Sequence, residues 1–157
     1  MADKHTEAKK AYDSIVSFLD SMNWKYDKND DDMTVMTGVS SNDIPIKLFY
    51  RVHEKNQLIQ IYSHMPFSVP EDKRIEMGIA INVANYNFID GSFDYNIKNG
   101  NILFRMTQSY IGMPLSNDVH DYMLHILTTT VDEYNDKFMK IADGSMTIEE
   151  FIQSDES

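Results

Sequence analysis

The residues best equipped for chemistry in this 157-residue chain are its carboxylates and its five histidines. The run Asp27-Lys28-Asn29-Asp30-Asp31-Asp32 puts Asp27, Asn29 and Asp31 at positions 1, 3 and 5 of an EF-hand calcium loop. Asp32 then stands where that loop needs glycine for its sharp turn, and Gly38 where it needs a bidentate glutamate, so the run reads as a solvated turn. His120 and His125 lie about 140° apart around a helix and cannot close on one metal. Asp118, Asp121 and His125 share a helical face but lack a second imidazole or a thiolate. There is no cysteine, no G-x-S-x-G elbow to frame a serine nucleophile, and no glycine-rich phosphate loop. No catalytic residue, metal or cofactor is expected.

What remains is the chemistry of binding. Lys47, Phe49 and Arg51 alternate along one run, Tyr62 and His64 along the next, and Leu103 and Arg105 along a third. If these runs pair as strands, all of these side chains share one face of a sheet. Aromatic residues and arginine are what interaction hot spots are made of, and the mixture is too aromatic and basic for a plain solvent face on an acidic protein. Two readings stand side by side. Either the face is open and takes a partner, or a helix covers it, making Phe49 and Tyr62 core and the bases its rim.

The elements that must position these residues follow from periodicity. In residues 4–22, Ala8, Ala11, Tyr12, Ile15, Phe18, Leu19 and Met22 recur at helical spacing, predicting an amphipathic first helix. The acidic turn leads to a short strand over 33–37. Residues 44–53 and 58–64 alternate about the loop 54–57, pairing Val52 with Ile59 and Tyr50 with Ile61, with Leu48 on the same face. Ser68-Val69-Pro70-Glu71 has the form of a capping box and opens a helix with the stripe Ile75, Ile79, Val83 and Tyr86. Gly78 within it marks a close packing contact.

Residues 91–110 read as a hairpin turning at Asn99-Gly100, a type I′ signal. That turn sets Lys98 against Asn101, Ile97 against Ile102, Tyr95 against Phe104 and Phe93 against Met106, with Asp94 meeting Arg105 on the other side. Ser116 caps a long helix carrying Val119, Tyr122, Met123, Ile126, Leu127, Thr130, Tyr134, Phe138 and Ile141, about 40 Å from end to end. Asp143-Gly144 stops it. A second capping box, Thr147 with Glu150, starts a short helix with Ile148, Phe151 and Ile152 before the acidic tail SDES, expected to fray.

The element order is helix, three strands, helix, two strands, long helix, an α+β fold with an antiparallel sheet of about five strands. The segment NVANYNFIDGSFDYNIKNGNILFR, followed by a polar cap and a long helix, resembles the YbjN-type bacterial domain. Asn82, Asn85, Gly91, Phe93, Tyr95, Gly100, Ile102, Phe104 and Arg105 carry the likeness. The resemblance implies the type III secretion chaperone-like fold, a role of the kind assigned to candidate regulators of bacterial sensory transduction, and a capacity to bind other chains. It implies no catalytic residue.

Composition bounds the rest. The length suits one domain over 1–157, with an ordered core at about 5–143 and the short helix and tail in 145–157. Zero cysteines fit a reducing cytoplasm, and no stretch approaches the ~18 apolar residues of a membrane span. A net charge of −11, from 25 acidic and 14 basic residues, repels phosphate backbones and anionic membrane surfaces. The expected partners are a protein or peptide and a second copy of the chain, with no nucleic acid and no membrane. The competing expectation is a signal-sensing domain with a small-molecule pocket between sheet and long helix, near Tyr122 or Tyr134.

Overall fold

Alternating side chains need a sheet with one dry face, and the computed structural model, which describes residues 3–155, has one. In chain order the elements are α1 (Lys4–Ser21), β1 (Asp27–Asn29), β2 (Thr34–Val39), β3 (Ile46–His53), β4 (Leu58–Ser68), a 3-10 turn (Glu71–Lys73), α2 (Arg74–Tyr86), β5 (Ser92–Asn96), β6 (Asn101–Ser109), α3 (Asn117–Asp143) and α4 (Ile148–Asp155). The strands form one antiparallel six-stranded sheet in the order β1-β2-β3-β4-β6-β5. Val35, Leu48, Tyr50, Val52, Ile59, Ile61, Phe104 and Met106 point to the dry face and are buried. Against them α1 lies over β2 and β3, α3 over β4 and β6, and α2 beside β5.

The sixth strand corrects the expectation of about five. Residues 27–29, read as part of a charged turn, pair with Thr34–Met36 as the edge strand β1. Only 30–33 turn, held by Asn29, whose Oδ1 accepts from the backbone N–H of Asp31 (3.0 Å) and Asp32 (3.2 Å). A short, charged strand at a sheet edge discourages further pairing, and such a strand carries no apolar alternation to reveal it.

The β3–β4 hairpin has the expected register, Tyr50 opposite Ile61 and Phe49 opposite Tyr62. The β5–β6 hairpin does not. Phe93 pairs with Phe104 and Tyr95 with Ile102, a shift of two residues that keeps every side chain on its expected face. The loop is 97–100, with Gly100 (φ 77°) in the left-handed region and Asn99 outside it, so the type I′ turn is absent. Asn side chains favour the longer turn by taking the role of backbone acceptors: Asn96 Oδ1 receives Lys98 N–H and Asn99 Oδ1 receives Asn101 N–H, both at 3.0 Å. Ile97 therefore sits half-exposed at the tip and not opposite Ile102. A Cβ on Gly100 would also lie 2.7 Å from Val69 N, where the hairpin is bound to the chain ahead of α2 through Val69 N–H to Gly100 O (2.9 Å).

The helices bring three further corrections. Ser68 does not cap α2; its hydroxyl donates to Asn99 O (2.6 Å), and Pro70 begins the 3-10 turn instead. The buried face of α2 is Met77, Ala80, Ile81 and Ala84, while Ile75, Ile79 and Tyr86 face outward. Both stripes have helical spacing, and the small side chains are the ones that let α2 approach α3, α4 and β5 closely; Gly78 lies against the Tyr95 ring. On α3, Tyr122 is half-exposed and His120, Leu124 and Val131 take the inner positions, a rotation of the stripe that brings α3 against α1.

The expected frayed tail is packed as far as Asp155, the last described residue. Thr147 and Glu150 form the reciprocal capping box (2.9 and 3.1 Å), and Phe151 of α4 joins an aromatic cluster with Tyr134 and Phe138. Asp155 is buried, accepting from the Tyr134 hydroxyl (2.6 Å) and Asn87 Nδ2 (3.1 Å) with Lys137 Nζ 3.9 Å away. Two hydrogen bonds and a nearby ammonium satisfy this buried carboxylate and fix the end of α4. Glu156 and Ser157 lie outside the described residues.

Candidate functional site

Alternation on β3 and β4 that buries Leu48, Tyr50, Ile59 and Ile61 must turn the intervening side chains to the opposite face of the sheet. That face is uncovered. Lys47, Arg51 and His64 are exposed, and Phe49, Tyr62, Leu103 and Arg105 are half-buried by one another and the strands beneath. Of the two readings of this face, the covered one fails, because the helices lie on the dry side.

Register assembles the residues into rows. Met36, Phe49, Tyr62, Arg105 and Ser92 follow one another across five strands, and His64 sits opposite Leu103 in the next row. The Phe49 and Tyr62 rings stack, with centroids 5.5 Å apart and planes within 15°, and His64 meets both edge-on. Arg105 holds Asp94 in an ion pair, with Nε 2.9 Å from Oδ2 and a hydrogen bond from Nη2 to Oδ1 at 3.2 Å. The pair is diagonal, since Asp94 lies opposite Leu103 and Arg105 opposite Ser92. Lys47 and Arg51 flank Phe49 along β3, and their side chains enter no ion pair among the described residues.

Grooves border the aromatic row on both sides. One of about 480 Å³ runs from His64 and Leu103 over Asp94 to the β5–β6 turn. Another of about 340 Å³ lies between Lys25, Met36 and Lys47. Met36, 41% exposed, is the residue of this face that sequence reasoning missed; alternation with buried Val35 and Thr37 was the signal that pointed it outward.

One of the two free edges of the sheet, β5, is closed at Phe93. Asn85 on α2 presents its carboxamide to β5 as another strand would, donating to Phe93 O (3.0 Å) and accepting Phe93 N–H (2.8 Å). A partner strand cannot add there without displacing Asn85.

Other chemistry does not assemble. Among the described residues no three His, Asp or Glu side chains converge as a metal site would require, and no helix is long and apolar enough to cross a membrane. Asp30, from the acidic run, accepts from the Tyr12 hydroxyl (2.9 Å) and pairs with Lys28 (3.2 Å). Ser14 Oγ lies 2.9 Å from His120 Nε2. With the serine proton given to Ala11 O (2.6 Å), the Nε2–H tautomer of the imidazole is the one that can donate to Ser14. His120 Nδ1 is buried without a partner, and burial holds the ring's pKa down at about 4. Tyr134, expected beside a ligand pocket, is packed among Phe88, Phe93, Phe138 and Phe151. Tyr122 stands half-exposed near Asp90.

Two comparisons of this chain with known proteins, against family models and against curated sequences, find no match. Solved structures do match. YbjN, a candidate transcription regulator from E. coli, superposes over 80% of this chain and 92% of its own at a TM-score of 0.58, with 9% sequence identity. This chain has the YbjN-type fold. A chain of the ExsC–ExsE complex superposes over 80% of this chain and 91% of its own, with a TM-score of 0.56 and 11% identity. The type III secretion chaperone-like arrangement anticipated from residues 82–105 is therefore the observed one. At such identities the likeness concerns the fold, and function must be argued from the face just described.

Proposed function

We propose that this chain is a non-catalytic protein- or peptide-binding module of regulatory or chaperone-like character, working in the cytoplasm as a homodimer and receiving its partner on the outer sheet face. The observation that carries the reading is the uncovered row Met36, Phe49 and Tyr62 with Lys47 and Arg51 unpaired beside it. Aromatic and cationic side chains left in water at the middle of a sheet are what a partner would desolvate. That a chain of the same fold occurs in a complex named for two proteins supports the reading.

The homodimer is motivated by α2. Ile75 is 69% exposed, Tyr86 89% and Ile89, just past the helix, fully so. No charged residue occurs from 77 to 89 in a chain that is 25% charged. Depletion of charge with exposed aromatic and aliphatic groups is the signature of an interface centre. Together with Ile79 these side chains expose on the order of 600 Å², approaching the ~800 Å² per partner of a standard interface. A helix placed antiparallel to its own copy across a two-fold axis covers itself.

Light scattering on the purified chain tests the dimer: a mass of two chains is expected, falling to one in Ile79→Glu. A monomeric wild type refutes it. Affinity capture with wild type and with a Phe49→Ala, Tyr62→Ala double variant tests the face, and a partner retained equally by both refutes its assignment.

A further inference from the structure

The charge on the outer face is the reverse of the charge on the molecule. The chain carries 25 acidic residues, yet none occupies an outward position of the four inner strands β2, β3, β4 and β6. Among the strand residues, the acids that reach this face stand on the edge strands: Asp94, which is engaged by Arg105, and Asp27. Among the described residues neither Lys47 nor Arg51, on either side of Phe49, enters an ion pair, although Asp27 of the edge strand lines the same groove as Lys47.

Resting on the reading of this face as a binding surface, we infer that its partner is an extended acidic segment of another protein, with carboxylates on either side of an aliphatic or aromatic residue. Lys47 and Arg51 are four residues apart on one strand, a separation of about 13 Å at 3.3 Å per residue. An extended segment running along β3 presents side chains i and i+4 at the same separation on the same side, with i+2 between them. Carboxylates at i and i+4 then meet Lys47 and Arg51, and the side chain at i+2 reaches the Phe49–Tyr62 pair. Asn85 closes the β5 edge at Phe93, and the other edge, β1, is three residues long and charged, so the face offers an extended segment more room than either edge.

Two other anionic partners fit less well. A phosphate group needs cations converging on one point, and here Arg105 is taken by Asp94 while Lys47 and Arg51 are spread apart. Single-stranded nucleic acid needs open ring faces for its bases, but Phe49 and Tyr62 each spend one face on the other. The net charge of −11 also repels a polyphosphate along its whole length, whereas a short segment needs only two local contacts. The positive edges of the stacked rings favour carboxylate neighbours.

Selection of a displayed library of random dodecapeptides on the full chain tests the inference. Enriched peptides should show Asp or Glu at i and i+4 around an apolar residue at i+2. A synthetic peptide of that consensus should lose about ten-fold in affinity in Lys47→Gln and in Arg51→Gln, both exposed positions where folding is undisturbed, and should weaken as salt rises. Lys47→Glu should bind better when the facing carboxylate of the peptide is changed to lysine. Enriched peptides that lack carboxylates yet still need Phe49 and Tyr62 overturn the acidic partner and leave the binding face standing. Tighter binding of a twelve-nucleotide oligouridylate than of the acidic peptide overturns it in favour of nucleic acid. Peptides indifferent to all four residues, or no enrichment at all, overturn the face itself.

Discussion

His120 makes the stability of this protein depend on pH in a calculable way. The residue is 1% exposed, its ring stacks on Phe18 at 5.4 Å with Nε2 2.9 Å from Ser14 Oγ, and Nδ1 has no hydrogen-bond partner among the described residues. A second proton would place a charge on that unpartnered nitrogen, so burial lowers the pKa from 6.5 to about 4. The unfolded chain therefore binds a proton that the folded one refuses between those values. The pH-dependent cost of His120 is negligible above about pH 7, grows as pH falls through 6.5 towards 4, and levels off below that. With these two pKa values the linkage relation gives a loss of about 2 kcal/mol on going from pH 7.5 to pH 5, and about 3 kcal/mol by pH 4. The assay is urea unfolding of wild type and His120→Phe at pH 7.5, 6 and 5. Phenylalanine can keep the stack on Phe18 and has no nitrogen to protonate, so the variant should lie within about 1 kcal/mol of wild type at pH 7.5 and gain about 2 kcal/mol on it by pH 5. Carboxylate titrations occur in both proteins and cancel in the difference. A gap between the two that stays constant from pH 7.5 to 5, or an imidazole signal of His120 titrating near pH 6.5, would refute the reasoning.

Tyr50 hides its hydroxyl without a partner, so Tyr50→Phe should be neutral or stabilising by up to about 1 kcal/mol in thermal unfolding. Asn85→Ala leaves the N–H and C=O of Phe93 unpaired; a loss of about 2 kcal/mol and a rise in aggregation by light scattering are expected, and a variant that stays both stable and disperse would show that the edge needs no cover. Asp155→Ala strips partners from Tyr134 and Asn87 and should cost about 2 kcal/mol in urea, whereas a frayed chain end would cost nothing.

Much of the fold was legible in one dimension because alternation and helical spacing are local. The β3–β4 pairing, the face that Lys47, Phe49, Arg51, Tyr62 and His64 share, and the box at Thr147 and Glu150 follow from side-chain order over a few residues. The β5–β6 register was less so, because Asn99-Gly100 is a strong two-residue turn signal, and the carboxamides of Asn96 and Asn99 stabilise a longer turn that local propensity does not rank. The offset of two left the faces right and the partners wrong.

Periodicity by itself determined that α2 is helical and apolar and that the strands have one wet and one dry side. It could not say which of two apolar stripes on α2 turns inward, since Ile75, Ile79 and Tyr86 are as regularly spaced as Met77, Ala80 and Ala84. Close packing against α3, α4 and β5 decided that in favour of the small residues, and it left the large ones in water. Nor could order along the chain say whether Phe49 and Tyr62 lie beneath a helix, because which side of a sheet its helices cover is a property of the assembled layers. The tertiary structure put every helix on the Leu48 and Ile61 side, and an ambiguous stripe of aromatic and basic residues became an open face.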